Sequence, residues 1–600
     1  MTIARVDDHH ARVQAEALVE QILQDPAELA LRDRYARAEH ADPARVRVIE
    51  LELGLADPAL APAKRRELAD ERETLWSRHG VAWEPVLAEI AARRAQHLNY
   101  SYLTRVGFSR GFASHAEGRQ LGVGIDDLAR TSCTSVKLSL HDPGELARLV
   151  EGPLLPRLRR LALDFMFQPA PSDIEALLRS QRLGPLEHFG LAGVCVTPSL
   201  AEAIAALSEL RSLDLAGVGA DSLASASVSA LLGAGGLAKL ESLALARHPG
   251  LDAKALPKLL DAPFVGQLHT LALTELDFGA KGCKALAKAE LGTCTQLELR
   301  GTKLGKQAAE IVANPTLKRL VRLGLDGTKI GAKLLGDLLA AIDLPELRCL
   351  RLGQLRCKAE GAEAIAASDV FTRCGIVELD LGGNAIADEG AEALAKAEGL
   401  AGIRRLSLQA NGIRVDGIEA LQDSPLFHGL EVLALGNNKI QTKGATALAS
   451  SALAASLREL DIDHNWIGNK GVAALLGHKG KGLLGLEKII FGYENNFAYA
   501  GLETLVDSPI RLRDLNAGHF GDTATLAAYL GSPAASELRR LVTYFGVDPS
   551  LAGEIARGEL GATLHTFSCQ FAVADEVLLD ALAQRFAFAL QRLEWGLSVW

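Results

Sequence analysis

IRRLSLQANGIRVDGIEALQDSPLFHG, residues 403–429, runs directly into LEVLALGNNKIQTKGATALASSALAAS, residues 430–456. Both segments open with LxxLxL, place Asn at the ninth position (Asn411, Asn438) and continue with apolar residues at helical spacing. The first half alternates as a short strand does, and the second half, for example GIEALQDS or GATALASS, has the 3.6-residue period of a helix. A chain that switches period twice every 27 residues is a repeat of strand, turn and helix.

The same phrase extends in both directions. Toward the C-terminus it restarts at Leu457, Leu486, Leu512, Leu538, Leu564 and, more weakly, Leu590. Toward the N-terminus it restarts at Ile376, Leu347, Leu320, Leu268, Leu240, Leu210 and Leu158, with weaker copies at Cys294, Leu186 and Cys133. About eighteen units follow one another from residue 133 to residue 600. Such a chain extends by stacking and has no single central core. The expected architecture is an α/β solenoid, with parallel strands on its concave face and helices on its convex face. Strands stack about 4.8 Å apart and helices about 8–10 Å apart, so layers about 10 Å apart imply a strongly curved horseshoe.

The recurring Asn384, Asn411, Asn438 and Asn465 sit where the chain turns out of the strand. A small amide there is expected to bond backbone groups left unpaired by the turn, with Thr302 and Thr328 doing part of the same work in earlier units. The unit LxxLxLxxNxIxxxGxxxLA resembles the ribonuclease-inhibitor-type leucine-rich repeat over residues 133–600. That resemblance implies fold and leaves the partner open, because such repeats serve many.

Residues 1–95 lack the strand phrase and read as helices, broken at Asp25-Pro26 and Asp42-Pro43. Leu18, Ile22, Asp25, Pro26, Leu31, Arg32, Tyr35, Ala36, Asp42, Pro43 and Ile49 make this stretch similar to the small repeat-companion domain that precedes repeat arrays in bacterial proteins. Arg110-Gly111-Phe112 fits the segment leading into the repeats. In this reading, residues 96–132 are a linker and N-terminal cap. The C-terminal Trp595 and Trp600 are expected to fold over the last unit.

Composition narrows the function. A net charge of -10 gives no cationic footprint for nucleic acid. No run approaches the roughly 18 apolar residues of a membrane span, and the charged N-terminus is not a secretory signal. The eight cysteines are scattered without a CxxC pair, so they read as reduced apolar fillers in a cytoplasmic protein. HExxH, GxSxG and GxxxxGK[ST] are absent, and His188, His269, His464 and His519 stand apart in the sequence. No catalytic residue, metal ligand or cofactor is expected.

The third and fifth strand positions should face the hole. Stacking in register sets Glu378 beside Arg405, Glu459 beside Lys488, Lys488 beside Asp514, and Arg351 beside Asp380. Glu459, Asp461 and Asp463 crowd one strand as an acidic patch. Trp466 follows its turn asparagine and points outward on the rim, with Tyr493, Tyr499 and Tyr544 beyond it. Exposed aromatics of this kind are enriched in binding hot spots. The expected partner-binding residues are Glu378, Asp380, Arg405, Glu459, Asp461, Asp463, Trp466, Lys488, Tyr493 and Tyr544. The expected function is non-catalytic binding of a protein partner, without nucleic acid or membrane. Regulation of an enzyme such as a GTPase through repeat loops is the alternative. Partner identity and oligomeric state stay open at this stage.

Overall fold

The computed structural model describes Leu18, most of residues 35–83, the segments 102–109 and 112–119, and, with short breaks, residues 125–571. The expectations for Ile22, Asp25, Pro26, Leu31, Arg32, Arg110, Gly111, Tyr499, Trp595 and Trp600 lie outside the described residues. So does the Tyr544 side chain. The chain divides into two compact bodies, residues 1–193 with 548–600, and residues 194–547.

In the first body, Asp42-Pro43 starts a helix, Pro43–Leu55. The Asp42 side chain accepts from the Arg45 N–H at 2.8 Å, and Pro43 takes the first turn, where no N–H is needed. Helix Pro62–Trp83 follows. Arg45 is buried between the rings of Tyr35 and Trp83, and its Nη2 donates to the Trp83 carbonyl at 2.9 Å. Leu18, Tyr35 and Ile49 form a small core beside it.

Within the stretch read as linker and cap, β1 (Tyr102–Ser109) and β2 (Phe112–Arg119) pair antiparallel. Val106, Phe108 and Phe112 are of the residue types enriched in strands. β2 then pairs parallel with β3 (Ser135–Leu140), β3 with β4 (Arg160–Phe165), and β4 with β5 (His188–Val194). Helices Pro143–Glu151 and Pro171–Leu178 follow β3 and β4, each opened by proline.

The second body is a parallel α/β solenoid. Its strands are β6 (Ser212–Gly217), β7 (Ser242–Ala246), β8 (Thr270–Thr274), β9 (Gln296–Glu298), β10 (Arg322–Gly324) and β11 (Cys349–Arg351). They continue as β12 (Glu378–Asp380), β13 (Arg405–Ser407), β14 (Val432–Ala434), β15 (Glu459–Asp461), β16 (Lys488–Ile490), β17 (Asp514–Gly518) and β18 (Arg540–Val547). Each pairs in parallel with the next, and the leucines of the phrase align across the ladder, Leu379 with Leu406 and Leu406 with Leu433. Ile403, Leu406 and Leu408 show why: all three are buried between strand and helix. Burying each side chain contributes roughly 2 kcal/mol, which recurs in every unit.

The turn asparagines form a continuous polar spine. Asn384 donates to the carbonyls of Leu352 and Leu381 at 2.8 and 2.9 Å, and accepts from the N–H of Leu355 at 2.8 Å. Asn411, Asn438 and Asn465 repeat the pattern with donations to Leu381, Leu408 and Leu435. Thr302 does part of this work, donating to Leu273 O at 2.7 Å, and Thr328 bonds Leu325 O within its own turn.

Two further members escaped the sequence reading, Asn495 by irregular spacing and His248, at the regular ninth position, by residue type. Asn495 donates to Ile462 O at 2.9 Å despite a longer turn. His248 replaces the asparagine earlier in the array: its Nε2 bonds Leu215 O and its Nδ1 meets Ser222 Oγ, both at 3.0 Å. Ser222 Oγ in turn accepts from the Val196 N–H.

Candidate functional site

The inner face of the sheet is built from positions three and five of each strand phrase, and parallel pairing puts these in rows. Glu378 is registered with Arg405, Glu459 with Lys488, and Lys488 with Asp514. The contacts are mixed in strength. Lys488 Nζ lies 3.3 Å from Glu459, and Arg540 lies 3.1 Å from Asp514. Glu378 is 4.0 Å from Arg405 but 3.7 Å from Arg322, two strands away on the other side. It reaches across Cys349, which is 4% exposed and whose thiol is pushed up to about 12, by burial first and then by Glu378.

Arg351 is 4.0 Å from Asp380, as the register predicts, yet it lies closer to Asp326, at 3.3 Å. Asp326 is 6% exposed, accepts from the Gly353 N–H at 3.2 Å, and has its carboxyl pushed above the usual range by burial. Glu298 is raised for the same reason. The sequence reading missed both carboxylates: Asp326 follows the sixth phrase position, where neighbouring repeats carry Gly353 and Gly382.

The acidic trio on and after β15 is not one open patch. Glu459 turns to Lys488. Asp461 is half-buried and accepts from Gln409 Nε2 at 2.6 Å, across β14, where Ala434 and Gly436 leave room. Burial raises its carboxyl above the ordinary range. Asp463 accepts from the backbone N–H of Tyr493 and lies 2.7 Å from His464 Nδ1. Among the described residues, no group of three or more His, Cys, Asp or Glu is arranged to hold a metal ion.

The rim beside this strand carries the aromatics. Trp466 is 40% exposed and takes the left-handed backbone, φ 59°, that Lys329 and Ala385 take at the same turn position of their repeats. The Lys439 ammonium lies 5.7 Å from its ring centre. Tyr493 is also 40% exposed, and its ring lies between those of His464, at 5.5 Å, and His519, at 4.8 Å. The histidines that stand apart in the sequence are one repeat to either side of Tyr493, so the repeat register was the signal that would have joined them. Apolar ring faces with polar tips, bordered by carboxylates and Lys439, suit a protein surface.

A Leucine Rich repeat family model matches residues 376–395, 430–449 and 454–476. No curated protein matches the chain. Among solved structures it is similar to the yeast Rad7 and Elc1 complex, at 16% identity and a TM-score of 0.40, covering 67% of this chain and 90% of that one. It is also similar to the leucine-rich repeat-containing protein LegL7 from Legionella pneumophila, at 16% identity and a TM-score of 0.31, covering 50% and 91%. Among the described residues no helix is long and apolar enough to cross a membrane.

Proposed function

We propose that this leucine-rich-repeat chain is a non-catalytic scaffold that holds a protein partner against the inner sheet face and rim of residues 378–545. The observation that carries the reading is Trp466. It is a large aromatic held 40% exposed at a turn position where other repeats carry Lys329, Ala385 or Gly412, and exposed aromatics of this kind are enriched in binding hot spots. Tyr493 with His464 and His519 extends the same surface. Glu378, Asp380, Arg405, Glu459, Asp461, Asp463 and Lys488 supply polar contacts that fix register more than affinity. Tyr544 is included by its place on β18.

The proposal extends to the finer family. Full helices such as Ala387–Ala395 and Gln441–Ser450 after each turn favour the ribonuclease-inhibitor type of repeat. A companion domain over residues 1–95, with a cap over 96–132, is supported by Asp42-Pro43 opening a helix beside Tyr35 and Ile49. A cytoplasmic location accords with Cys283, Cys294 and Cys357, whose thiols burial pushes up to about 11.

Affinity capture from host lysate tests the surface by comparing wild type with a Trp466→Ala/Tyr493→Ala double variant. The proposal expects specific proteins held by wild type and lost by the variant. The same proteins retained by both would sink the choice of surface, and a partner held equally by the first body alone would sink the scaffold reading of the repeats.

A further inference from the structure

We propose that the outer helix layer of residues 276–423 associates with the same layer of a second copy of this chain, across a two-fold axis. Leaving out their strands, residues 279–333 carry ten Lys and Arg against three Asp and Glu, whereas residues 360–398 carry seven Asp and Glu against two Lys and Arg. Both segments lie in the second body, and their helices stack repeat upon repeat.

The signs follow one structural position. The residue five places after the turn position is, in the six successive repeats of this surface, Lys281, Gln307, Lys333, Glu360, Glu389 and Asp416; in the two repeats beyond them it is Lys443 and Lys470. Five of these six lie in the first turn of an α-helix, and Gln307 closes the 3-10 turn Gly305–Gln307. The helix dipole favours carboxylates there and disfavours lysines. Lys281 and Lys333 therefore oppose their own helices, and local stability does not account for them.

Nor are these charges matched within the chain. Three other exposed lysines are: Lys239 with Glu209 at 2.7 Å, Lys303 with Asp277 at 2.7 Å and Lys318 with Asp343 at 2.6 Å. Among the described residues, Lys281, Lys333, Glu360 and Glu389 form no ion pair. All four are exposed.

The six positions from Lys281 to Asp416 change sign at their midpoint, and such a set is complementary to itself after a half-turn. An axis between Lys333 and Glu360 sets Lys333 against Glu360 of the second copy, Gln307 against Glu389, and Lys281 against Asp416. This is the isologous arrangement of a two-fold dimer. Exposed ion pairs are individually weak and are screened within about 8 Å at physiological salt, so association is expected to depend strongly on ionic strength. The surface is separate from the inner face and rim assigned to the protein partner, and the two readings fail independently.

Sedimentation of the full chain, in about 20 mM and about 0.5 M salt, is the first readout. Wild type is expected to be dimeric in the first and monomeric in the second, with the dissociation constant rising tenfold or more. Lys281→Glu/Lys306→Glu/Lys333→Glu and Glu360→Lys/Glu389→Lys/Asp416→Lys should each be monomeric in low salt. Mixed in equal amounts they should form a heterodimer, because one now presents only acid and the other only base. Lys443→Glu/Lys470→Glu, which reverses the same position in later repeats, should leave the dimer intact. A wild-type monomer in low salt overturns the proposal. So does a mixture that stays monomeric, or a dimer lost on reversing Lys443 and Lys470.

Discussion

The backbone N–H of Asn384 donates to the side-chain oxygen of Asn411, one repeat later, at 2.9 Å. Asn411 stands in the same relation to Asn438 at 3.1 Å, and Asn465 to Asn495 at 2.9 Å. Truncating Asn411 to Ala strips the Asn384 and Ile386 N–H groups of their acceptor and the Leu381 carbonyl of a donor. Each buried polar group left unpaired costs about 1–3 kcal/mol, so a loss of about 3 kcal/mol is expected in urea unfolding. Asn411→Thr should lose less, because Thr302 already holds one of these bonds in an earlier repeat. An equal loss for Ala and Thr would contradict the account of the spine.

His248 makes the same spine sensitive to acid. With its proton on Nε2 facing Leu215 O, Nδ1 accepts from Ser222 Oγ, and a second proton there takes away the acceptor of the Ser222 hydroxyl. Burial accordingly lowers its pKa from 6.5 to about 4. The unfolded chain then binds the proton first as pH falls from about 6.5 to about 4, and stability is lost across that window. The integrated loss is roughly 3 kcal/mol. Thermal unfolding of His248→Asn at pH 7.5 and 4.5 should show a smaller acid shift than wild type.

Trp466 offers a test of strain against use. A left-handed backbone disfavours any residue with a Cβ by about 1 kcal/mol. Trp466→Gly should therefore be about 1 kcal/mol more stable than Trp466→Ala, while both lose partner binding. If Gly and Ala variants unfold at the same denaturant concentration, the conformation at 466 is not under strain.

Arg351 holds together carboxylates that burial already disfavours. Arg351→Met removes the cation beside Asp326 and Asp380, further raising the folded-state pKa of Asp326. The variant is expected to lose about 2 kcal/mol at pH 7. The deficit should shrink as pH falls through the raised Asp326 value, because that carboxylate then protonates in the folded state. Adding Asp326→Asn should recover part of it at neutral pH. A deficit that does not vary with pH would assign the role of Arg351 to packing alone.

Strand placement and register were legible because LxxLxL repeats with a fixed phase: once Leu379 and Leu406 share a face, Glu378 and Arg405 must be neighbours. What failed to transfer were features that break the phase. Ser222 and Asn495 reach the spine from lengthened turns, so no fixed offset from the strand finds them, yet the buried backbone still recruits a polar side chain there. Gln409 contacts Asp461 across an intervening strand because Ala434 and Gly436 are small, a relationship that involves three repeats at once. The β1–β2 hairpin lies outside the repeat altogether, and its strand-forming residues have no phase against which to be read.

The bonds of the spine also have a direction. Asn384 reaches back to Leu352 and Leu355 in the preceding repeat, and its own N–H waits for Asn411 in the following one. A chain emerging from the ribosome thus always ends in a repeat whose turn amides are open, and each newly made repeat closes the one before it. Assembly along Asn384–Asn495 is vectorial: each turn is completed by the turn side chain of the repeat made after it.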